Sequence, residues 1–265
     1  MTTQLLAVRL GLPAAVDLDD LEAAAALLTR RDRKYIVPEA VAAELVARLA
    51  GASRALEIAG RRSFRYESVY FDTPERASYL GAARRRRRRY KVRTRSYLDA
   101  GRCLLEIKTR DTRGRTVKER LEHPVELRGR LDAAGRAFVS SCPLVGDDVV
   151  ALAPALVTRY GRATLLVDGY AVRVTIDTDV EAATPDGRLV VLAGMAIVET
   201  KSGGPPSVAD RVLWSLGHRP TRVSKFCTGL AALHSELPSN KWTRALQQPW
   251  VLVDAPGRIA VPGAA

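Results

Sequence analysis

Between Arg84 and Arg95 the chain carries nine Lys and Arg residues and no acidic one. Side chains alternate between the two faces of a β-strand. On that rule Arg85, Arg87, Arg89, Lys91, Arg93 and Arg95 share one face, while Tyr90, Val92 and Thr94 continue the other. The alternation recurs downstream. Glu106, Lys108 and Arg110 oppose Cys103, Leu105 and Ile107, and Lys118, Arg120 and Glu122 oppose Val117 and Leu121. Arg173, Thr175 and Asp177 oppose Val172, Val174 and Ile176, and Glu199 and Lys201 oppose Ala196 and Val198. Taken singly, each pattern is the wet face of an antiparallel sheet packed on its core. Taken together, they are rows of cations with single carboxylates among them. Like charges so close repel, so the rows call for a polyanion to offset them. The interspersed carboxylates suit a divalent metal sharing the site. If the sheet closes, the charged faces line a hydrated basic channel and the apolar faces pack outward against helices.

Composition narrows the classes. The 265 residues carry 42 Lys and Arg against 29 Asp and Glu, a formal net charge of +13, so an anionic partner is expected. Seven of these cations are Lys and the rest Arg, whose planar fork grips phosphate through two hydrogen bonds. A hydrophobic content of 47% excludes wholesale disorder. No apolar run reaches the roughly 18 residues of a transmembrane helix, and Met1 to Leu12 lacks a signal-peptide pattern. Cys103, Cys142 and Cys227 have no CxxC spacing, which excludes a disulfide framework or structural zinc site and makes a reducing cytoplasm the expected location. There is no GxxxxGK[ST], GxGxxG or HExxH motif, and the three His residues are far apart. Aromatic residues are 6% and none interrupts Arg84–Arg89, so stacking on bases has little basis and no specific nucleic-acid partner is expected.

The elements that must position these residues are mostly strands. Strand patterns cover Arg31–Val37, Phe64–Asp72, Arg86–Tyr97, Cys103–Arg110, Thr116–Glu122, Leu156–Asp168, Ala171–Glu181 and Val190–Lys201. Turn residues separate them at Asp99–Gly101, Arg113–Gly114, Asp168–Gly169 and Pro185–Gly187. Helical patterns are expected over Asp17–Thr29, from Pro38 to Gly51, over Leu131–Ser141, from Ser207 to Gly217 and over Ser224–Glu236. The Pro- and Gly-rich tail from Pro238 reads as extended or loose. The fold class is therefore α+β, an antiparallel β-rich sheet flanked by helices, rather than alternating βαβ units. The divisions expected are a helical extension over 1–28, a main domain over 29–237 and a tail over 238–265.

The run Arg31-Asp32-Arg33-Lys34-Tyr35-Ile36-Val37-Pro38 resembles the opening of the VTC domain, the polyphosphate polymerase module of the triphosphate tunnel metalloenzyme (CYTH-like) superfamily. The blocks Ser68–Pro74, Lys91–Tyr97, Leu105–Lys108, Lys118–Arg120, Tyr160–Arg162, Arg173–Asp177, Val198–Lys201 and Ser224–Phe226 resemble the family's later motifs, in the family's order. The likeness spans roughly Arg30 to Leu237. One departure lies at the opening, where Asp32-Arg33-Lys34 stands in place of the alternating glutamates common in the wider superfamily.

The resemblance implies an antiparallel β-barrel tunnel whose inward cations hold ATP, polyphosphate or tripolyphosphate. It implies transfer of the ATP γ-phosphate to a polyphosphate chain with Mn2+ or Mg2+. Carried onto this sequence, the catalytic clamp is Lys34, Arg93, Arg95, Lys108 and Arg162. Further phosphate contacts fall to Lys118, Arg120, Tyr160, Arg173, Lys201, Arg222, Ser224 and Lys225. Glu199 is the matching metal carboxylate, with Glu106 and Asp177 behind it. Phosphoryl transfer has a loose transition state, so such a site needs positioning and charge neutralisation rather than a nucleophilic side chain. Hydrolysis of a triphosphate would use the same tunnel, with Glu106 or Glu199 orienting water, and a non-catalytic polyphosphate-binding module would use its cations alone.

Overall fold

The computed structural model describes residues 10–24, 31–112, 115–167 and 172–253. In chain order the first elements are β1 (Ala15–Val16), α1 (Leu18–Ala24), β2 (Arg31–Pro38), α2 (Glu39–Leu49), β3 (Ser53–Leu56), β4 (Phe64–Asp72) and α3 (Ala77–Ala83). Next come β5 (Arg89–Tyr97), β6 (Arg102–Arg110), β7 (Thr116–Glu122), α4 (Ala133–Ser140) and α5 (Asp148–Ala151). The remainder are β8 (Ala153–Val167), β9 (Val172–Ala183), β10 (Leu189–Leu192), β11 (Met195–Ser202), α6 (Val208–Ser215), α7 (Lys225–Leu233), α8 (Thr243–Leu246) and β12 (Trp250–Val253).

One antiparallel path, β2–β11–β9–β8–β4–β5–β6–β7, carries the charged faces. The long strands β8 and β9 each serve two neighbours on one side. β8 pairs with β4 along its first part and β3 at its end, and β9 pairs with β11 and then β10. The path curls, so that Lys34 of β2 and Lys108 of β6, far apart along the sheet, line one cavity. Among the described residues no backbone pairing joins β7 to β2, so the curl keeps a seam rather than closing as the expected barrel. The chain leading into α7 runs along β2 instead, where the Thr221 N–H donates to the Lys34 carbonyl at 2.7 Å.

The convex face is apolar, as the alternation requires. Tyr35, Val37, Leu165, Val174, Ile176 and Val198 pack against Leu45, Val46 and Leu49 of α2 and Leu213 of α6. Tyr35 donates from its hydroxyl to buried Asp210 at 2.6 Å, and Thr200 does so at 2.7 Å. Asp210 also completes a capping box with Ser207 at the start of α6. This carboxylate therefore fixes the immediate neighbours of Lys34 and Glu199 from outside the sheet.

Helix α7 fills one end of the curl. Its Phe226 and Leu230 join Tyr70, Tyr79, Leu156 and Leu192 in a second core. Gly229 makes the approach possible, since a Cβ there would stand 2.6 Å from the Ala182 Cβ. At the other end the N-terminal segment lies on the concave side. Phe64 pairs in register with Arg162, and Leu166 follows two residues beyond Thr164, so both belong to the charged face. Val16 and Leu21 pack on them together with Leu56.

Several expected boundaries change. Val190–Lys201 is two strands, β10 and β11, because the chain turns through Ala193 and Gly194, the latter at φ +65°. Arg84–Arg88 lies outside β5, in turns and bends, with Arg85 at φ +55°. The short helices α3 and α5 were not expected. The tail is not loose over 239–253: Trp242 and Ala245 are buried and β12 pairs with β10. Helix α1 is described only to Ala24, and the turns at Arg113–Gly114 and Asp168–Gly169 lie outside the described residues.

Candidate functional site

Three nests of opposite charge line the concave face. The first joins β2 and β11, where Lys34 and Glu199 are partners in register. Lys34 Nζ stands 3.7 Å from Glu199 Oε1, and Lys201 Nζ stands 3.5 Å from Oε2. Burial alone would push the Glu199 carboxyl up, but Lys34, Lys201, Arg162 and Lys225 outweigh it and hold the group well below the ordinary carboxylate range. Arg173 lies beside Lys201 across the β9–β11 pairing.

The second nest joins β8, β9 and α7. Arg162 grips Asp177 with two hydrogen bonds, Nε to Oδ1 at 2.6 Å and Nη2 to Oδ2 at 2.8 Å. Lys225 also donates to Asp177 Oδ2. Burial pushes Asp177 up, and these two cations bring it down to about 2. Lys225 Nζ lies 4.2 Å from the Tyr160 ring centroid, and Arg162 lies over both Tyr160 and Tyr66, whose rings stack at 5.3 Å. Local structure explains the position of Lys225: Ser224 caps α7 by accepting from the Cys227 N–H, so the next residue opens the helix at the cavity wall.

The third nest centres on Glu106 of β6, which is nearly fully buried. Arg93 meets its Oε2 at 2.7 Å through Nε, Arg95 stands at 3.8 Å, Arg120 at 3.5 Å, and Lys118 pairs with Oε1. Against burial, Arg93, Arg95 and Lys118 bring Glu106 down to about 2. Arg93 also donates to the Tyr70 hydroxyl at 3.1 Å. Burial raises Tyr70, yet Arg93, Lys91 and Arg95 prevail and lower it to about 8.

Between the nests, Lys108 has a lowered pKa because of its enclosure and the neighbouring Lys34, Lys91 and Arg93. It lines a cavity of about 390 Å3 with Lys34, Lys91, Arg222, Ser224 and Lys241. Lys91 donates to Ser224 Oγ at 3.1 Å. Four buried polar atoms on this concave face, Ser68 Oγ, Thr158 Oγ1, Thr175 Oγ1 and Arg95 Nε, have no hydrogen-bond partner among the described residues. Buried polar atoms are normally paired, so this face is built to receive oxygen-rich ligands or water.

All the residues carried over from the resemblance thus lie on one continuous concave surface or at its mouth. The structure adds Lys91, Tyr66 and Tyr70, which the strand alternation already places on the same faces. It also adds Lys241, for which the tail's composition held no signal. The three carboxylates do not form one metal-binding group: among the described residues no three His, Cys, Asp or Glu side chains come together in that way. Glu106 and Asp177 are each engaged by close Arg and Lys contacts, whereas the Glu199 oxygens keep looser ion pairs. Among the described residues no helix is long and apolar enough to cross a membrane.

Solved structures share the architecture. A chain from Hippeastrum, described as an adenylyl cyclase candidate with a dominant triphosphatase activity, matches with a TM-score of 0.52 and 17% identity, over 79% of this chain and 98% of that one. An adenylate cyclase candidate from Bacillus halodurans matches with a TM-score of 0.50 and 13% identity, over 74% of this chain and 94% of that one. The sequence matches no curated protein. The family model of the VTC domain matches residues 29–234, so the chain belongs to the VTC-domain family, within the triphosphate-tunnel fold.

Proposed function

We propose that this protein is a metal-dependent polyphosphate polymerase that transfers the γ-phosphate of ATP to a polyphosphate chain inside the tunnel. The observation that carries this reading is the excess of cations over carboxylates on one concave face, in the order of VTC motifs. In the balanced step, a terminal phosphate oxygen of the chain bonds to the γ-phosphorus and the bond to the β,γ-bridging oxygen breaks. ADP leaves, and the acceptor needs no general base because its terminal phosphate is already anionic. Lys34, Lys108, Arg93, Arg95 and Arg162 clamp non-bridging oxygens and offset charge that spreads in the transition state. Lys118, Arg120, Tyr160, Arg173, Lys201, Arg222, Ser224 and Lys225 hold the flanking phosphates.

Glu199 would hold Mn2+ or Mg2+, because its loosely paired oxygens retain capacity for a cation. Glu106 and Asp177, held by their guanidinium and ammonium partners, fit poorly as ligands and serve to fix those partners instead. A divalent ion held by Glu199 would supply neutralisation of phosphate charge. A second reading, hydrolysis of tripolyphosphate or a nucleoside triphosphate, draws on the triphosphatase activity described for the Hippeastrum relative. ATP turnover with Mn2+ or Mg2+ tests the site for either reaction. Lys34→Ala and Glu199→Gln are each expected to lower turnover by about 100-fold, the scale of losing one preorganised charge-stabilising group. Unchanged turnover in both variants would remove the tunnel from the chemistry.

A further inference from the structure

A second cavity, of about 420 Å3, adjoins the first and is lined by Arg85, Arg87, Arg89, Arg110, Arg222 and Lys241. The last four also line the cavity between the nests, with Lys34, Lys91 and Lys108. The charge balance differs between the two regions. Inside, each carboxylate gathers two or more cations. In the cleft the one carboxylate, Asp111, is turned to Arg115, accepting its backbone N–H at 2.9 Å and its Nε at 2.8 Å. Among the described residues none of the six cleft cations is in an ion pair. Their crowding shows in Lys241, whose pKa is lowered by burial and then by Arg89, Lys91 and Arg222.

The cleft also continues a row. Arg93, Lys91 and Arg89 follow one another on the same face of β5, with Lys108 and Arg110 opposite on β6. Four residues of strand advance about 13 Å, so the cation row runs well past the Arg93–Glu106 nest, further than a triphosphate needs. Among the described residues no aromatic side chain lines the cleft, so they offer no platform for bases. The ligand that fits is a flexible inorganic polyanion, not a single-stranded nucleic acid.

We propose that this cleft is a second anion site, which grips the part of a long polyphosphate chain that extends beyond the tunnel and makes the protein favour long chains over short ones. The proposal rests on the tunnel reading above and adds chain-length selection to it.

The test compares binding of tripolyphosphate and of long-chain polyphosphate to the full chain at physiological salt. The variant is Arg85→Asn with Arg87→Gln. Both positions are exposed, and Asn tolerates the left-handed backbone of Arg85 at φ +55°. With two exposed charge contacts removed, affinity for the long chain is expected to fall at least about fivefold, while that for tripolyphosphate stays within about twofold. An equal fall for both ligands, or no fall for either, overturns the proposal. So does a single-stranded oligonucleotide that displaces the long chain at equal phosphate concentration and loses as much affinity in the variant. Lys34→Ala separates this from the tunnel reading. It should weaken tripolyphosphate at least about tenfold, since a charge contact inside the curl is removed. If it does not, the tunnel reading falls, while the contrast between the cleft variant and wild type still reports on the cleft itself.

Discussion

Two lysines of the concave face titrate where enzymes work. Burial draws Lys118 down, with Arg95 and Arg93 adding to it and Glu106 opposing, so that it sits at about 7. Lys201 is brought to about 8 by burial and by Arg173 and Arg162, against Glu199. Each is charged below its pKa and neutral above it. The ligand's own deprotonation is the same whichever variant binds it, so a comparison of variants reports the lysine alone. Relative to Lys118→Arg, whose guanidinium stays charged, wild-type affinity for tripolyphosphate is therefore expected to fall as pH rises through about 7. Calorimetric titration of both proteins at several pH values checks this; a ratio of affinities that does not change with pH contradicts it. At this scale the sequence was legible where strand alternation applies: Lys91 and Tyr70 follow from the faces of Arg93 and Arg95 and of Ser68. It was not legible which cation meets which carboxylate. Glu106 lies beside Lys108 on its own strand face, yet it is held by Arg93 and Lys118 from the two neighbouring strands.

Helix α7 shows what an element must do to place one side chain. Its capped first residue, Lys225, reaches Asp177 while Gly229 presses on Ala182 of β9. Gly229→Ala has no room and must shift the helix away from the sheet, at a cost of about 1–3 kcal/mol. The expected result is a lower melting temperature together with weaker tripolyphosphate binding; an unchanged melt would mean that the contact is looser than the geometry requires. The small N-terminal cluster is a parallel case. Leu21→Ala should destabilise by about 2 kcal/mol, the lower end of the range for a buried leucine, because among the described residues it belongs to a small cluster with Val16, Leu56, Leu166 and Phe64. Denaturant unfolding checks the value. Long alternating strands were readable from sequence, whereas α3 was not. It has no side-chain cap, and Arg76 opens it in the left-handed region, so the usual start signals are missing. Its anchor is distant in kind: Asp72 at the end of β4 accepts the Ser78 and Tyr79 N–H groups at 2.8 and 3.0 Å.

Across the whole molecule the formal charge is +13, and a dense group of its cations lines the two adjoining cavities of the concave side. The sequence shows the charge and the strand faces that carry it. The curl, the seam beside β2 and the docking of the tail depend on contacts between distant segments, such as Thr221 with Lys34 and β12 with β10, which no local pattern encodes. A polyanion that binds the folded concave face more tightly than the unfolded chain stabilises the fold, so tripolyphosphate at 100 times its dissociation constant should raise stability by at most about 2.7 kcal/mol. Thermal melts should show that gain shrinking as salt screens the charges. Transfer to a chain rather than to water is tested by supplying ATP labelled at the γ-phosphate together with Mn2+ and a short unlabelled polyphosphate. A polymerase puts the label into lengthening polyphosphate, matched by ADP release. Label released wholly as inorganic phosphate would contradict transfer to a chain and make the protein a triphosphatase.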